Sequence, residues 1–322
     1  MMSAGEYAKR LYSGEIPWLD DENKPLLLIL PGLVAFLTFM FYPVLYTVYL
    51  SLTDARPSNL FNPERTIEFI GTANYQQILA DPQFWNSVGV TWLFMAVSVL
   101  LKVLLGLGIA LVLTHDRVRG KRFMRSLVIA PMGFPGIFTI VIWAGIFSPA
   151  RFGLANQFIR WLGGVIPFFS GDSIAWMSER WMAFFAYIVT EVWLAYPFMV
   201  IIIVSALQNV SDELLDAAKI DGANYLSRIR HVVLPSIKRP LLFASILTAA
   251  ASFNQFLIPF VFNRGGPARQ NELVIVYGYR EAFNFNQYGE GAAVMLVATL
   301  FIGIFMWINV KKGKLADGVN EV

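Results

Sequence analysis

Six stretches of the chain are apolar over the length that a helix needs to cross a bilayer. They cover residues 26–52, 87–113, 126–148, 181–207, 240–262 and 289–310. A helix crosses the hydrocarbon core with roughly 20 such residues, so each stretch predicts one transmembrane span. Pro31, Pro43, Pro131, Pro135, Pro197 and Pro259 lie inside these runs. Membrane helices tolerate them because neighbouring helices satisfy the carbonyls that proline leaves free. The sequence Pro131-Met-Gly-Phe-Pro-Gly136 predicts a break or bend in the third span, read either as a packing kink or as a moving hinge.

Composition points the same way. Hydrophobic residues make up 57% of the 322 positions and charged residues only 15%, with a mean hydropathy of +0.57. A soluble domain is closer to half apolar and a quarter charged. A net charge of +3 is too small and too scattered for a nucleic-acid surface. There is no cysteine, which excludes disulfides, thiol nucleophiles and thiolate metal sites. Before the first run stand Glu6, Lys9, Arg10, Glu15, Asp20, Asp21, Glu22 and Lys24. The apolar run that follows is too long for a signal peptide and reads as an anchor. The expected division is an N-terminal segment 1–25, a membrane domain 26–310 and a tail 311–322.

Positive charge orients the bundle. Segments 1–25, 114–125, 208–239 and 311–322 hold sixteen of the twenty-five lysines and arginines, and the alternate connections hold eight. The positive-inside bias therefore places both termini and the 114–125 and 208–239 connections in the cytoplasm. The outer stretch from Trp161 to Trp181 is rich in aromatics, including Phe168, Phe169 and Trp176. It reads as an interfacial segment or as a lid.

The 208–239 connection carries the most structure. Ser211 is placed to cap a helix whose first turn holds Asp212 and Glu213. Leu214, Leu215, Ala217 and Ala218 give that helix a compact apolar face. Gly222 suits a C-cap or sharp turn, and Asn224 starts a second helix. Such a hairpin either docks into a groove on another protein or packs on its own spans.

The spacing of this connection resembles a known motif. Asp216-Ala217-Ala218, three residues, Gly222, nine residues, Val232, one residue and Leu234-Pro235 are similar to the EAA loop of binding-protein-dependent ABC importer permeases. Asp216 stands for the usual glutamate and Val232 for the usual isoleucine. The likeness extends to Phe69-Ile-Gly71-Thr-Ala-Asn74-Tyr75 and Asp81-Pro82-Gln-Phe84-Trp85-Asn86. It continues through Glu191-Val-Trp193-Leu-Ala-Tyr196-Pro197, Gly265-Gly266-Pro267 and Tyr279-Arg-Glu-Ala282-Phe283. These look like carbohydrate-uptake permeases of the MalF type, without the large outer insertion found in some of them.

The resemblance implies an all-α polytopic fold of six core helices, the type I importer (MetI-like) permease fold. It also implies partners: a second permease subunit, two ATPase subunits that use ATP and Mg, and an external solute-binding protein. The residues it marks for ATPase coupling are Asp216, Ala217, Ala218, Asp221, Gly222, Leu234 and Pro235.

This chain has no phosphate-binding loop of its own. Its Gly-Lys pairs, Gly120-Lys121 and Gly313-Lys314, lack the upstream glycine and the following hydroxyl. No cofactor is expected on this chain. His115 and His231 have no second ligand at metal spacing.

The polar residues inside the spans are the candidates for the solute path. Lys102 and Glu191 sit near the middles of their helices, where a bare charge costs at least about 2.5 kcal/mol. They read as a structural ion pair, or as a solute contact through Glu191. The resemblance favours the second reading and adds Leu194, Ala195 and Phe198 one turn along. In the fifth span Ser252, Asn254 and Gln255 alternate with Phe253 and Phe256. Amides and hydroxyls beside aromatic faces suit a sugar or glue helices together. The solute classes implied are a disaccharide or oligosaccharide, with a polyol or glycerol phosphate as alternatives. An ion-coupled secondary transporter working through Glu191 and Lys102 would not need the 211–235 hairpin.

Overall fold

The computed structural model describes residues 24–62, 64–115, 117–166 and 170–313. Most of the segment 1–25 and the tail 311–322, together with Phe168 and Phe169, thus lie outside the described residues. Among the described residues the chain is helical, apart from one isolated antiparallel bridge between Thr53 and Phe69. Five helices are long and apolar enough to cross a bilayer: Ile29–Ser51, Pro82–Thr114, Arg180–Gln208, Lys238–Asn263 and Tyr288–Lys312. They coincide with the first, second, fourth, fifth and sixth apolar runs.

The third run is more than bent. Its two helices, Lys121–Gly133 and Gly136–Ile146, meet at 93°. The cause is local: Phe134 adopts an extended backbone at φ −101° and ψ 142°, which the residue before a proline prefers. Pro135 then leads into the next helix with no N–H to donate. The 11-residue helix Gly136–Ile146 rises about 16 Å, roughly half the hydrocarbon thickness. The straight rod expected over 126–148 is therefore replaced by two pieces at a right angle.

In the first and fifth spans proline acts by clashing with the carbonyl four residues back, whereas Pro197 stays inside the uninterrupted helix Arg180–Gln208. Before Pro43 the first span widens into a π-turn over Leu37–Phe41, which relieves that clash at Phe39. In the fifth span Pro259 sets the conflict at Gln255. The helix Lys238–Phe253 ends there, and Leu257–Asn263 begins anew.

The second and fourth spans form the most extensive helix pair and act as the axis of the bundle. Around them one apolar cluster is built on Phe84, Met95, Phe253 and Val294. A second is built on Phe94, Ile140, Tyr187 and Ile258. A third, on Ala110, Met199, Ile203 and Ile237, fills the end nearest the 208–239 connection. The first span stands outside this core: Phe39 is 78% exposed, and contact is made through its last turns against the sixth span.

That contact is fixed by the segment after the first span. The buried Asn74 amide donates to the carbonyls of Ser51 at 2.9 Å and Thr53 at 2.8 Å. Tyr75 meets Ser51 through its hydroxyl at 2.7 Å. Asp81 caps the second span by accepting from the Gln83 N–H, and also accepts from the Tyr277 hydroxyl. The stretch 69–86 is thus a clasp that joins the first, second and sixth spans.

In this clasp Gly289 lies so close to the first span that a Cβ would stand 2.3 Å from the Thr53 carbonyl oxygen and 2.7 Å from Asn74 Nδ2. Backbone cannot yield as a flexible side chain can. We expect Gly289→Ala to cost about 1–3 kcal/mol and to lower the unfolding midpoint of the purified protein. Thermal unfolding in detergent measures this, and an unchanged midpoint would show that the first span is not clamped there.

Candidate functional site

At the break in the fifth span the second, fourth and fifth spans share one polar centre. Lys102 Nζ donates to Glu191 Oε1 at 2.5 Å and to Ser252 Oγ at 2.8 Å. Ser252 Oγ in turn donates to Glu191 Oε1 at 2.9 Å, and Gln255 Nε2 donates to Glu191 Oε2 at 2.7 Å. The side chains of Lys102 and Glu191 are 1% and 5% exposed. Apolar clusters lie on both sides, with Ile188 below in sequence and Met199 above.

The geometry places Glu191 in a hydrogen-bonded pair with Lys102. Both carboxylate oxygens are taken by groups of the chain itself, and Ser252 is wholly buried in the same network. Glu191 and Ser252 are turned into the bundle and do not line open space. Burial explains this, because a charge at that depth is stable only when paired and hydrogen-bonded.

Gln255 serves two masters: its Oε1 also accepts from the Leu257 N–H at 3.2 Å. The side chain thereby repairs the helix break that Pro259 causes and ties it to Glu191. Asn254 points elsewhere, exposed and donating to the Ala250 carbonyl at 2.9 Å. Leu194, Ala195 and Phe198 are half-buried. Leu194 packs with the cluster around Tyr187, and Phe198 with that around Met199. Of the seven residues expected along the solute path, Glu191, Ser252 and Gln255 are brought together in the polar centre, while Leu194, Phe198 and Asn254 lie apart from it.

A cavity of about 410 Å³ does open beside the break, and none of those seven lines it. Its wall is a run of aromatic rings: Phe256 contacts Tyr279 at 5.0 Å, Tyr279 contacts Phe283 at 4.9 Å, and Phe283 contacts Tyr288 at 5.7 Å between centroids. Phe260 stacks on Phe256 at 4.7 Å. Spacing of aromatics across 256–288 was the available signal in the sequence, but it is spread over three elements and shows no helical period.

Further toward that end, Glu272 is fully buried between Arg269 at 2.7 Å and Arg280 at 2.8 Å, with Gln83 at 3.1 Å. Arg269 also reaches Glu281 at 3.4 Å. Burial raises the Glu281 carboxyl above its ordinary range, and the Arg269 charge only partly opposes this. These ions fix the 264–284 segment on which Tyr279 and Phe283 stand.

At the opposite end the 208–239 connection forms the expected pair of helices. Asp212–Ile220 begins at Ser211, whose side chain makes no capping bond, and carries Asp212 and Glu213 in its first turn. Gly222 adopts φ +79°. The Ala223 N–H donates to the Ala218 carbonyl and the Gly222 N–H to that of Lys219, at 2.9 and 3.1 Å. This is the Schellman closure, which places a left-handed residue after the helix. Asn224 caps the following turn by accepting from the Ser227 N–H at 2.8 Å.

Asp216, Ala217, Asp221, Gly222 and Pro235 are exposed, while Ala218 and Leu234 are half-buried. Asp216 pairs with Lys219 at 2.6 Å on the open surface, where such a pair adds little. Around the glycine corner Leu214, Ile220, Tyr225 and Leu226 are 54%, 87%, 50% and 72% exposed. Val233 and Ile237 are buried and moor the far side of the connection to the bundle.

Removing the Gln255 amide tests the polar centre. Gln255→Leu strips one donor from Glu191 Oε2 and one acceptor from the Leu257 N–H. We expect a loss of about 1–3 kcal/mol, chiefly from the buried Glu191 carboxylate that loses a donor. Thermal unfolding of the purified protein reads this, with Asn254→Leu, exposed and bonded only to its own helix, as the near-neutral comparison.

Comparison with known proteins bears on the same elements. Residues 102–309 match the family described as "binding-protein-dependent transport system inner membrane component". The trehalose/maltose transport system permease protein MalF of Thermococcus litoralis is 32% identical over 89% of this chain and 92% of its own length. The maltodextrin transport system permease protein MdxF of Bacillus subtilis is 29% identical over 100% of this chain and 76% of its own. A bacterial alginate ABC transporter, solved in complex with an alginate pentasaccharide-bound periplasmic protein, superposes with a TM-score of 0.72. It is 16% identical and covers 90% of this chain and 93% of its own, so it speaks to the fold alone. The family match runs from the second apolar run to the sixth and takes in the 208–239 connection, and the chain belongs to the binding-protein-dependent transport system inner membrane component family, as a multi-pass membrane permease.

Proposed function

We propose that this permease imports a sugar, delivered by an external binding protein and driven by ATP hydrolysis on separate subunits. The observation that carries the reading is the exposed apolar corner at Gly222. Leu214, Ile220, Tyr225 and Leu226 stand in water on a rigid, capped hairpin, and exposed apolar patches of this kind mark docking surfaces. A short helix offered end-on suits a groove in a partner. An ATPase subunit is the partner that an importer without its own phosphate-binding loop requires.

The proposed assembly pairs this chain with a second permease subunit and two ATPase subunits, which bind ATP and Mg. Both termini and the 208–239 hairpin face the cytoplasm, as the lysine and arginine bias indicates. The ATPase-coupling residues are Asp216, Ala217, Ala218, Asp221, Gly222, Leu234 and Pro235. Val233, Leu234 and Ile237 anchor the hairpin to the ends of the fourth and fifth spans. A push on the corner therefore moves these spans, and the shared centre at Glu191 carries the second span with them.

Sugar as the cargo is supported by the relatives' substrates, trehalose or maltose and maltodextrin in their names. The aromatic wall of Phe256, Tyr279 and Phe283 adds to this, since the CH faces of a sugar stack on such rings. Measuring the affinity of the cognate binding protein across disaccharides, oligosaccharides, polyols and glycerol phosphate identifies the solute.

The left-handed conformation of Gly222 gives the coupling reading its test. No atom lies within 4 Å of a Cβ built there, so strain, and not collision, limits substitution. A β-branched residue in this region costs upwards of about 1–2 kcal/mol, whereas asparagine tolerates it. We expect Gly222→Val to leave the complex folded but to depress solute uptake relative to ATP hydrolysis, with Gly222→Asn keeping most uptake. Normal uptake by Gly222→Val in proteoliposomes would remove the corner from the mechanism.

A further inference from the structure

A cavity of about 480 Å³ lies between the hairpin and the bundle, walled by the end of the second span, the helix Lys121–Ile129, the end of the fourth span and residues 212–233. His115, Lys121, Arg125, Lys219 and Arg228 line it, against a single carboxylate, Asp212. Lys219 is committed to Asp216 at 2.6 Å, and among the described residues Lys121 Nζ donates only to the Thr114 carbonyl at 3.3 Å. Arg125 and Arg228 make no ion pair among the described residues. Their Nε atoms are buried and without a hydrogen-bond partner there. Arg228 is held in place over the Tyr225 ring at 6.0 Å.

Two guanidinium groups that line one cavity without an ion pair among the described residues suit a planar or tetrahedral oxyanion, since the rigid fork of arginine matches carboxylate and phosphate. The neighbouring surface narrows the choice. The helix that presents Lys121 and Arg125 to the cavity exposes Phe123 at 69%, Leu127 at 56% and Ile129 at 41%. It lies at 93° to the helix that follows. Basic and apolar side chains side by side on one helix form the pattern of an interfacial segment, which takes head groups on one side and acyl chains on the other.

We propose that this cavity is a phosphate site occupied by the head group of an anionic phospholipid, with Arg125 and Arg228 as its ligands and Phe123 and Leu127 beside the acyl chains. Arg125 belongs to the bundle and Arg228 to the hairpin, so one head group bridges the two. Its binding then depends on how close the hairpin stands to the membrane, and it links lipid composition to coupling.

The test uses the full-length chain, purified with its co-expressed subunits and placed in nanodiscs of phosphatidylcholine with a minor share of phosphatidylglycerol. Native mass spectrometry counts the phospholipids that stay bound. The wild type is expected to retain phosphatidylglycerol in preference to phosphatidylcholine. Arg125→Gln with Arg228→Gln should weaken that retention by about tenfold or more, the equivalent of one charge-assisted contact. Arg122→Gln, on the same helix but outside the cavity lining, should not. Asp212→Asn removes the one opposing carboxylate and is expected to strengthen retention, which keeps the proposal testable should the double arginine variant fail to assemble. Equal retention by wild type and double variant, or no gain with Asp212→Asn, would overturn it. Saturable binding of inorganic phosphate in pure phosphatidylcholine discs, without phosphatidylglycerol retention, would assign the cavity to a free anion and overturn the lipid occupant.

Discussion

A lysine and a glutamate in contact at the depth of the hydrocarbon core bind three helices to one another, and the rest of the bundle is arranged around that pair. Neither charge is stable there alone. Lys102 from the second span satisfies Glu191 from the fourth, and Ser252 and Gln255 from the fifth complete the set. Such a pair adds little net stability over a well-packed apolar core, but breaking it leaves an unpaired charge and costs much more. Its effect is to forbid the three helices from sliding past each other independently.

Proline decides where the helices may yield. Pro135 turns the third span through a right angle, and Pro259 interrupts the fifth at Gln255, next to the polar centre. Irregular backbone at membrane depth is tolerated only where it is buried in protein or lines a cavity. Here Gln255 serves the freed backbone while the aromatic cavity opens on the other side of the break. The moored hairpin at one end, the paired centre and the clasped aromatic wall at the other form one mechanical line.

Much of this was legible in the chain. Five of the six apolar runs coincide with helices long and apolar enough to cross a bilayer, because apolar length is written directly in the chain. The glycine corner and the Asn224 cap were equally readable, since both follow from local backbone chemistry. The right angle at Phe134–Pro135 was visible as a break but not as a turn of this size, because its angle depends on what each half packs against. That Lys102 and Glu191 face each other was open in the sequence, and only the fold brings Ser252 and Gln255 to the same pair. The aromatic wall escaped because Phe256, Tyr279 and Tyr288 belong to three elements that meet only in the folded bundle. Arg125 and Arg228 likewise lie far apart in the chain and meet only across the hairpin cavity.

The claim beneath all of this is that Lys102 and Glu191 act as one unit. A double-mutant cycle with Lys102→Met, Glu191→Gln and the pair together, read as unfolding free energy in a bilayer mimic, measures it directly. Each single change is expected to cost about 3–5 kcal/mol, with the double variant recovering most of that loss. Single variants as stable as the wild type, or a double variant whose loss equals the two singles added together, would contradict it.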